Sequence, residues 1–213
     1  MLKSTTSWLV PFKLTLCLSA MTLVPLIAFG EAKPAPTSTL DNLVAAFNGE
    51  SNAHARYIAF AAKADEEGFK GVGSLFRAAA RAEEVHAANH KQVIESLGGT
   101  AKADIATPDA KSTAENLKAS IEGESYERDT MYPEFIAQAR KENIKPALRT
   151  FNFAKTAEAE HAKFYQAALD SLDTWKEVKT FYVCSVCGYT TNNMDFEKCP
   201  SCFKSKEKYE TIS

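Results

Sequence analysis

Between Cys17 and Cys184 the chain has no cysteine, and from Thr39 to Pro108 it has no proline. The first absence excludes a disulfide framework for the body of the protein. The second leaves about seventy residues free to run as helix. Basic residues form no cluster and the net charge is only −2, which argues against a nucleic-acid or polybasic membrane partner. Acidic residues are missing from the first 30 positions, where Lys3 and Lys13 are the only charges. An apolar run over 14–27 follows, Pro25 would end its helix just before the cut, and Ala28-Phe29-Gly30 supplies small residues for cleavage. This is the pattern of a secretory signal peptide cut after Gly30. The run is short for a membrane span of about 20 apolar residues, so a retained anchor is the alternative. No twin-arginine pair is present, which points to transport of an unfolded chain. The mature chain is expected in the periplasm, with 23 basic against 27 acidic residues and a charge of −4.

What is present is mostly helix. Hydrophobic residues make up 45% and charged ones 24%, enough apolar mass for a packed core. Residues 31–38 read as a flexible leader containing Pro34 and Pro36. From Thr39 the chain is alanine-rich, with apolar residues at three- and four-residue spacing. The pattern predicts helices over 40–68, 71–97, 112–142 and 145–172, in a bundle region spanning 39–173. Gly98-Gly99 stops the second, and the loop through Pro108 is long enough for a crossover connection. A linker over 173–179 then leads to a small cysteine-rich β domain over 179–213.

The helical region repeats itself. Gly49-Glu50-Ser51 recurs as Gly123-Glu124-Ser125, displaced by 74, and Glu83-x-x-His86 recurs as Glu158-x-x-His161, displaced by 75. Two motifs sharing nearly one offset imply two similar helical hairpins facing each other. A Glu and a His three residues apart on a helix lie about 60° apart, so both can reach one ion. One Glu from each of two helices, with Glu-x-x-His from the other two, is the ligand set of ferritin-like di-metal bundles. Glu50, Glu83, His86, Glu124, Glu158 and His161 complete it.

Glu127, three residues after Glu124, adds a fifth inward carboxylate. Five anions cannot share a dry core uncompensated, whereas two divalent cations nearly neutralise them. Carboxylate and imidazole suit iron or manganese alike. Glu84 and Glu160 point about 100° away from the ligand positions and read as surface charges. His54 and His90 sit one turn beyond Glu50 and His86, where they would finish the polar end of the bundle or make outer hydrogen bonds. Gly49 and Gly123 each weaken a helix by about 1 kcal/mol, for which close backbone approach beside the metals is the expected reason.

These segments, with Glu124-Ser125-Tyr126-Glu127, Met131-Tyr132-Pro133 and paired CxxC motifs, resemble the rubrerythrin family over nearly the whole mature chain. The resemblance implies a mainly α protein, a ferritin-like four-helix bundle with a small C-terminal rubredoxin-like four-cysteine β domain. It implies two irons bridged by Glu83 and Glu158, with Glu50 and Glu124 as terminal ligands and His161 on the second iron. Glu127 and His86 would exchange on the first iron, carboxylate when oxidised and imidazole when reduced. Tyr57 and Tyr132 match tyrosines that hydrogen-bond the ligand carboxylates, although packing in an aromatic core would explain them equally. Tyr57, seven residues after Glu50, faces the site by helical geometry alone.

Cys184-x-x-Cys187 and Cys199-x-x-Cys202 can hold one tetrahedral ion by four thiolates. The arrangement looks like a rubredoxin domain, whose iron carries single electrons. A structural zinc ribbon is the alternative, and a pair of disulfides a weaker one. Gly188 suits the turn after the first pair. Phe203 stands where the family usually has glycine, and eleven residues separate the pairs. A non-glycine in a left-handed turn costs about 1 kcal/mol, so distortion of that half is expected. The function implied is an oxidoreductase reducing hydrogen peroxide, supplied by an external electron donor. A ferroxidase or iron-binding protein is the alternative. The resemblance also implies a homodimer or larger homo-oligomer, with the four-cysteine domain of one subunit near the di-iron site of another.

Overall fold

A computed structural model describes residues 37–213; the expected signal peptide and most of the expected leader lie outside the described residues. Five helices follow: α1 (Thr39–Glu66), α2 (Lys70–Ser96), α3 (Thr113–Tyr126), α4 (Tyr132–Lys141) and α5 (Lys145–Asp170). Local chemistry sets their limits. Ser38 and Ser112 cap α1 and α3, each in a reciprocal box with Asp41 or Glu115 three residues on. Gly68 turns α1 into α2 with φ +84°, and Gly98 ends α2 with φ +78°. Asn143 performs the same office after α4 with φ 57°.

The expected third helix is not one helix. Between α3 and α4 the backbone runs through a π segment, Glu127–Met131. Such a segment accommodates one residue more than an α-helix and shifts the phase of everything after it by about 100°. The internal repeat carries the mark of that insertion. Glu50 to Glu124 is 74 residues, whereas Tyr57 to Tyr132 and Glu83 to Glu158 are each 75. In an unbroken α-helix Tyr132 would stand about 80° from Glu124; the extra residue returns it to the same face.

The connection from α2 to α3 crosses over α1. Asn48 and Asn52 hold it by bonds to the backbone of Asp104 and Ala106 at 2.8–2.9 Å. Apolar side chains fill the bundle on either side of its polar centre. One layer gathers Tyr57, Phe60, Phe76 and Tyr165, with Tyr57 and Phe76 stacked at 5.7 Å. The other gathers Leu43, Ile94, Tyr132, Ile136 and Phe151.

After α5 a 3-10 turn, Leu172–Trp175, leads to a three-stranded antiparallel sheet. Its strands are β1 (Phe181–Cys184), β2 (Thr190–Thr191) and β3 (Tyr209–Ile212), in the order β2-β1-β3. Trp175, Phe181 and Val183 join the apolar layer of the bundle itself. Arg81 of α2 clamps β3 through Glu210, with two bonds of 2.7 and 3.0 Å. The cysteine-bearing segment therefore folds back onto its own bundle. The physical reason is the linker, whose Trp175 packs beside Phe181 at 6.4 Å in the shared core.

Candidate metal centre

Four helical stretches deliver the ligand set to one buried point. Glu50, Glu83, His86, Glu124, Glu158 and His161 are each no more than 1% exposed. Their ligand atoms form two groups: Glu50, Glu83, His86 and Glu158, then Glu83, Glu124, Glu158 and His161. Within each group all lie within 4.8 Å of one another. Only Glu83 and Glu158 belong to both, the placement required of bridging carboxylates.

The site's hydrogen bonding tests whether cations fit. Five carboxylate oxygens of Glu50, Glu83, Glu124 and Glu158, and Nδ1 of His161, are buried without any hydrogen-bond partner. Buried polar atoms left so are rare, and a cluster of acceptors converging on one space needs positive charge between them. Electrostatics agree. Burial, then Glu127 and Glu83, push the Glu50 carboxyl well above the ordinary range. Burial with Glu83 and Glu124 does the same to Glu158. Against the same burial, the His161 and His86 rings hold Glu83 down at about 2.

Each histidine is aimed from behind. His86 Nε2 donates to the Cys187 carbonyl at 3.1 Å, which leaves Nδ1 facing Glu83 at 2.8 Å and Glu158 at 3.3 Å. His161 Nε2 donates to Thr190 Oγ1 at 2.9 Å, and the threonine hydroxyl donates onward to the Gly188 carbonyl. His161 Nδ1 then faces Glu158 at 3.0 Å and Glu83 at 3.3 Å. The outer partner of a metal-facing histidine fixes its tautomer, and here the four-cysteine segment supplies both partners.

Two tyrosines close the site crosswise. Tyr57 donates to Glu124 Oε1 at 2.6 Å, and Tyr132 donates to Glu50 Oε1. Both also pack in aromatic layers, so the two explanations for them hold together. Behind Tyr132, buried His90 makes a bond of 3.2 Å to the phenol and one of 3.0 Å to Thr150. Burial lowers the His90 ring to about 3. As a neutral ring it accepts from Thr150 at Nδ1 and donates to Tyr132 at Nε2. Thr150 also lines a cavity of about 770 Å³ between α2, α5 and the first cysteine loop.

Other expected residues are placed differently. Glu127 starts the π segment and is half-buried, outside both ligand groups; His86 stands in the first group. His54 donates to the Ala80 carbonyl at 2.8 Å and pins α1 to α2. Glu84 pairs with Arg81 and Glu160 with Lys163, away from the centre. A Cβ on Gly49 or Gly123 would meet nothing within 4 Å, so close backbone approach does not explain them.

The four cysteines form a second centre. Sγ atoms of Cys184 and Cys202 are 3.7 Å apart and those of Cys187 and Cys199 3.6 Å. A disulfide needs about 2.05 Å, whereas a tetrahedral ion with bonds of about 2.3 Å separates its thiolates by roughly 3.8 Å. Hydrogen bonds from Cys184 and Cys187 hold the Cys199 thiol well below its usual range. Each CxxC turn is closed alike, by Gly188 N–H to Cys184 O at 2.8 Å and Phe203 N–H to Cys199 O at 2.9 Å. Phe203 adopts the left-handed conformation, φ 60°, without distorting its half, which corrects that expectation. Gly188, φ 77°, is doubly constrained, since a Cβ there would land on the His86 ring. Sequence reasoning missed Thr190 and the contact of Gly188 with His86; nothing in the segment's spacing signals either.

Comparison with known proteins gives the same outline. Nigerythrin of Nitratidesulfovibrio vulgaris is 42% identical over 180 residues, covering 84% of this chain and 89% of that protein. Rubrerythrin-2 of Clostridium acetobutylicum is 38% identical over 177 residues, covering 82% and 96%. A solved structure of nigerythrin in its fully reduced, all-ferrous state is similar with a TM-score of 0.78 and 38% identity. It covers 86% of this chain and 91% of that one. Desulfovibrio desulfuricans bacterioferritin, 16% identical with a TM-score of 0.60, shares the fold alone. The family model described as Rubrerythrin matches residues 41–169, the stretch that holds every helical ligand. By sequence, fold and the convergence of its carboxylates, the chain belongs to the rubrerythrin family.

Proposed function

We propose that the protein is an exported oxidoreductase that reduces hydrogen peroxide to water at a di-iron site, with electrons arriving through a four-thiolate iron. The observation that carries this reading is the 3.1 Å bond from His86 Nε2 to the Cys187 carbonyl. It joins a side chain of the first ligand group to a residue that itself faces the thiolate centre. An iron store needs no such junction. An enzyme that must be re-reduced after each peroxide does.

Glu50, Glu83, His86, Glu124, Glu158 and His161 would hold the two irons, and the four cysteines the third. Bound iron would supply two electrons per peroxide and the Lewis acidity that stabilises developing oxide charge. The protein's own part is orientation and exclusion of water. Tyr57 and Tyr132 each donate to a terminal carboxylate and keep its free oxygen directed inward. The layer of Tyr57, Phe60, Phe76 and Tyr165 seals one end of the site. Glu127, with its carboxyl pushed up by burial, Glu124 and Glu83, stands ready at the rim as an additional ligand. Export through the first 30 residues and assembly into a homodimer or larger oligomer belong to the same reading.

The test is rapid mixing of reduced, iron-loaded protein with peroxide under anaerobic conditions. The expected outcome is prompt oxidation of the bundle irons, which remain bound, followed by oxidation of the thiolate centre. Reduced irons that ignore peroxide, react only with oxygen and leave as ferric ions would establish a ferroxidase instead.

A further inference from the structure

The cysteine-bearing segment has two unlike sides. Its first loop, residues 184–189, lies against the bundle: Cys184 and Cys187 are wholly buried, and Asn89 donates to Val186 O at 3.0 Å. Its second loop, residues 199–204, carries Cys202, which alone among the four cysteines is not fully buried. Beside Cys202 stands Phe203, 73% exposed. Phe203 belongs to none of the apolar clusters among the described residues. It is also held at φ 60°, where glycine would be unstrained. Exposure and strain both work against the fold, so this aromatic serves something outside it.

The surroundings are basic, a local exception to the scattered basic residues expected from the chain as a whole. Lys198 pairs across the loop with Ser205, and Lys204, Lys206 and Lys208 follow, all exposed. Only Lys206 has a carboxylate partner among the described residues, Glu197 at 3.1 Å. Between 198 and 208 the sole acidic residue is Glu207. The whole chain, by contrast, is net negative. A local positive collar on such a molecule steers a negatively charged partner to that one place.

We propose that Phe203, with the exposed Lys198, Lys204 and Lys208 that flank it in the chain, is the docking surface for a small acidic electron-carrier protein. The carrier's apolar contact would cover Phe203, and its acidic rim would meet the lysines. It would be oxidised by one electron, which passes to the thiolate-held iron beside Cys202; no bond breaks and no proton moves. This rests on the reading of the four-thiolate ion as an electron relay.

An acidic two-iron ferredoxin is the probe, titrated in its oxidised form into the full, iron-loaded, oxidised chain by calorimetry. Saturable binding is expected at low salt, weakening about tenfold or more as salt rises through the physiological range. The variant carrying Lys198→Glu, Lys204→Glu and Lys208→Glu should bind at least about tenfold more weakly. Phe203→Gly relieves the strained turn, so it should melt no lower than the parent while also binding about tenfold more weakly. Binding unchanged in both variants, or no binding at low salt, would overturn the proposal. So would Phe203→Gly dissolving a self-association of the chain, which would show a second copy as the occupant. Peroxide oxidation of dithionite-reduced protein, run on the same preparations, reports the proposed activity independently of docking. Its failure beside intact, charge-dependent binding would remove the activity and leave the surface.

Discussion

Glu83 and Glu158 differ from the other carboxylates in belonging to both ligand groups. That distinction has a direct consequence for metal content. Glu158→Ala removes a ligand from both ions and is expected to empty the bundle, whereas Glu124→Ala weakens only the group that contains His161. Element analysis of the purified variants checks it, and equal losses would mean the bridging assignment is wrong. At one remove from the ligands, Thr190 accepts from His161 Nε2 at 2.9 Å. Thr190→Val keeps the shape and deletes the acceptor, so the ring loses its fixed orientation. Outer partners of this kind are worth about 10–100-fold in metal affinity. A competition titration against a chelator should show a loss of that size, with the fold intact by circular dichroism.

At the scale of elements, the π segment Glu127–Met131 decides what α4 can contribute. Inserting one alanine after Thr130 adds a residue and should rotate Tyr132 away from Glu50 by about 100°. The expected result is weaker metal retention and a stability loss of about 1–3 kcal/mol from the unsatisfied Glu50 and Tyr132 groups. Thermal melting and metal analysis together read it.

This segment also marks how far the sequence could be read. Helix ends were legible because caps are local: Ser38 and Asp41, or Ser112 and Glu115, interact within one turn. The ligand set was legible because Glu-x-x-His is a statement about one helix face. The interruption at Glu127 left only a trace, the change of repeat offset from 74 to 75 between Glu124 and Tyr132. Gly49 and Gly123 misled, because crowding around a glycine is a property of the packed structure and both positions are open. The same holds for Gly188. Its turn was readable, but its contact with His86, 102 positions earlier, was not.

For the whole molecule, the close seating of the first cysteine loop on the bundle is what would let the two candidate metal centres work as one device. Both metal-facing histidines take their outer hydrogen bonds from that loop or from β2 behind it. Gly188→Ala would drive a methyl group into the His86 ring and force the loop away. A destabilisation of about 1–3 kcal/mol is expected from the overpacking alone. Under the proposed electron relay, passage from a thiolate-held iron to the bundle should slow as well, which single-turnover absorbance measurements would separate from loss of folding.

The most direct test of the two-ion site is anomalous diffraction at the iron edge from crystals of the iron-loaded chain. Two peaks roughly 3.5–4 Å apart are expected between the carboxylates of Glu83 and Glu158. His86 Nδ1 should contact one peak and His161 Nδ1 the other, with a third peak among the four sulfurs. A bundle with no pair of peaks, or with these carboxylates bonded to water and to one another, would refute the shared-ligand arrangement.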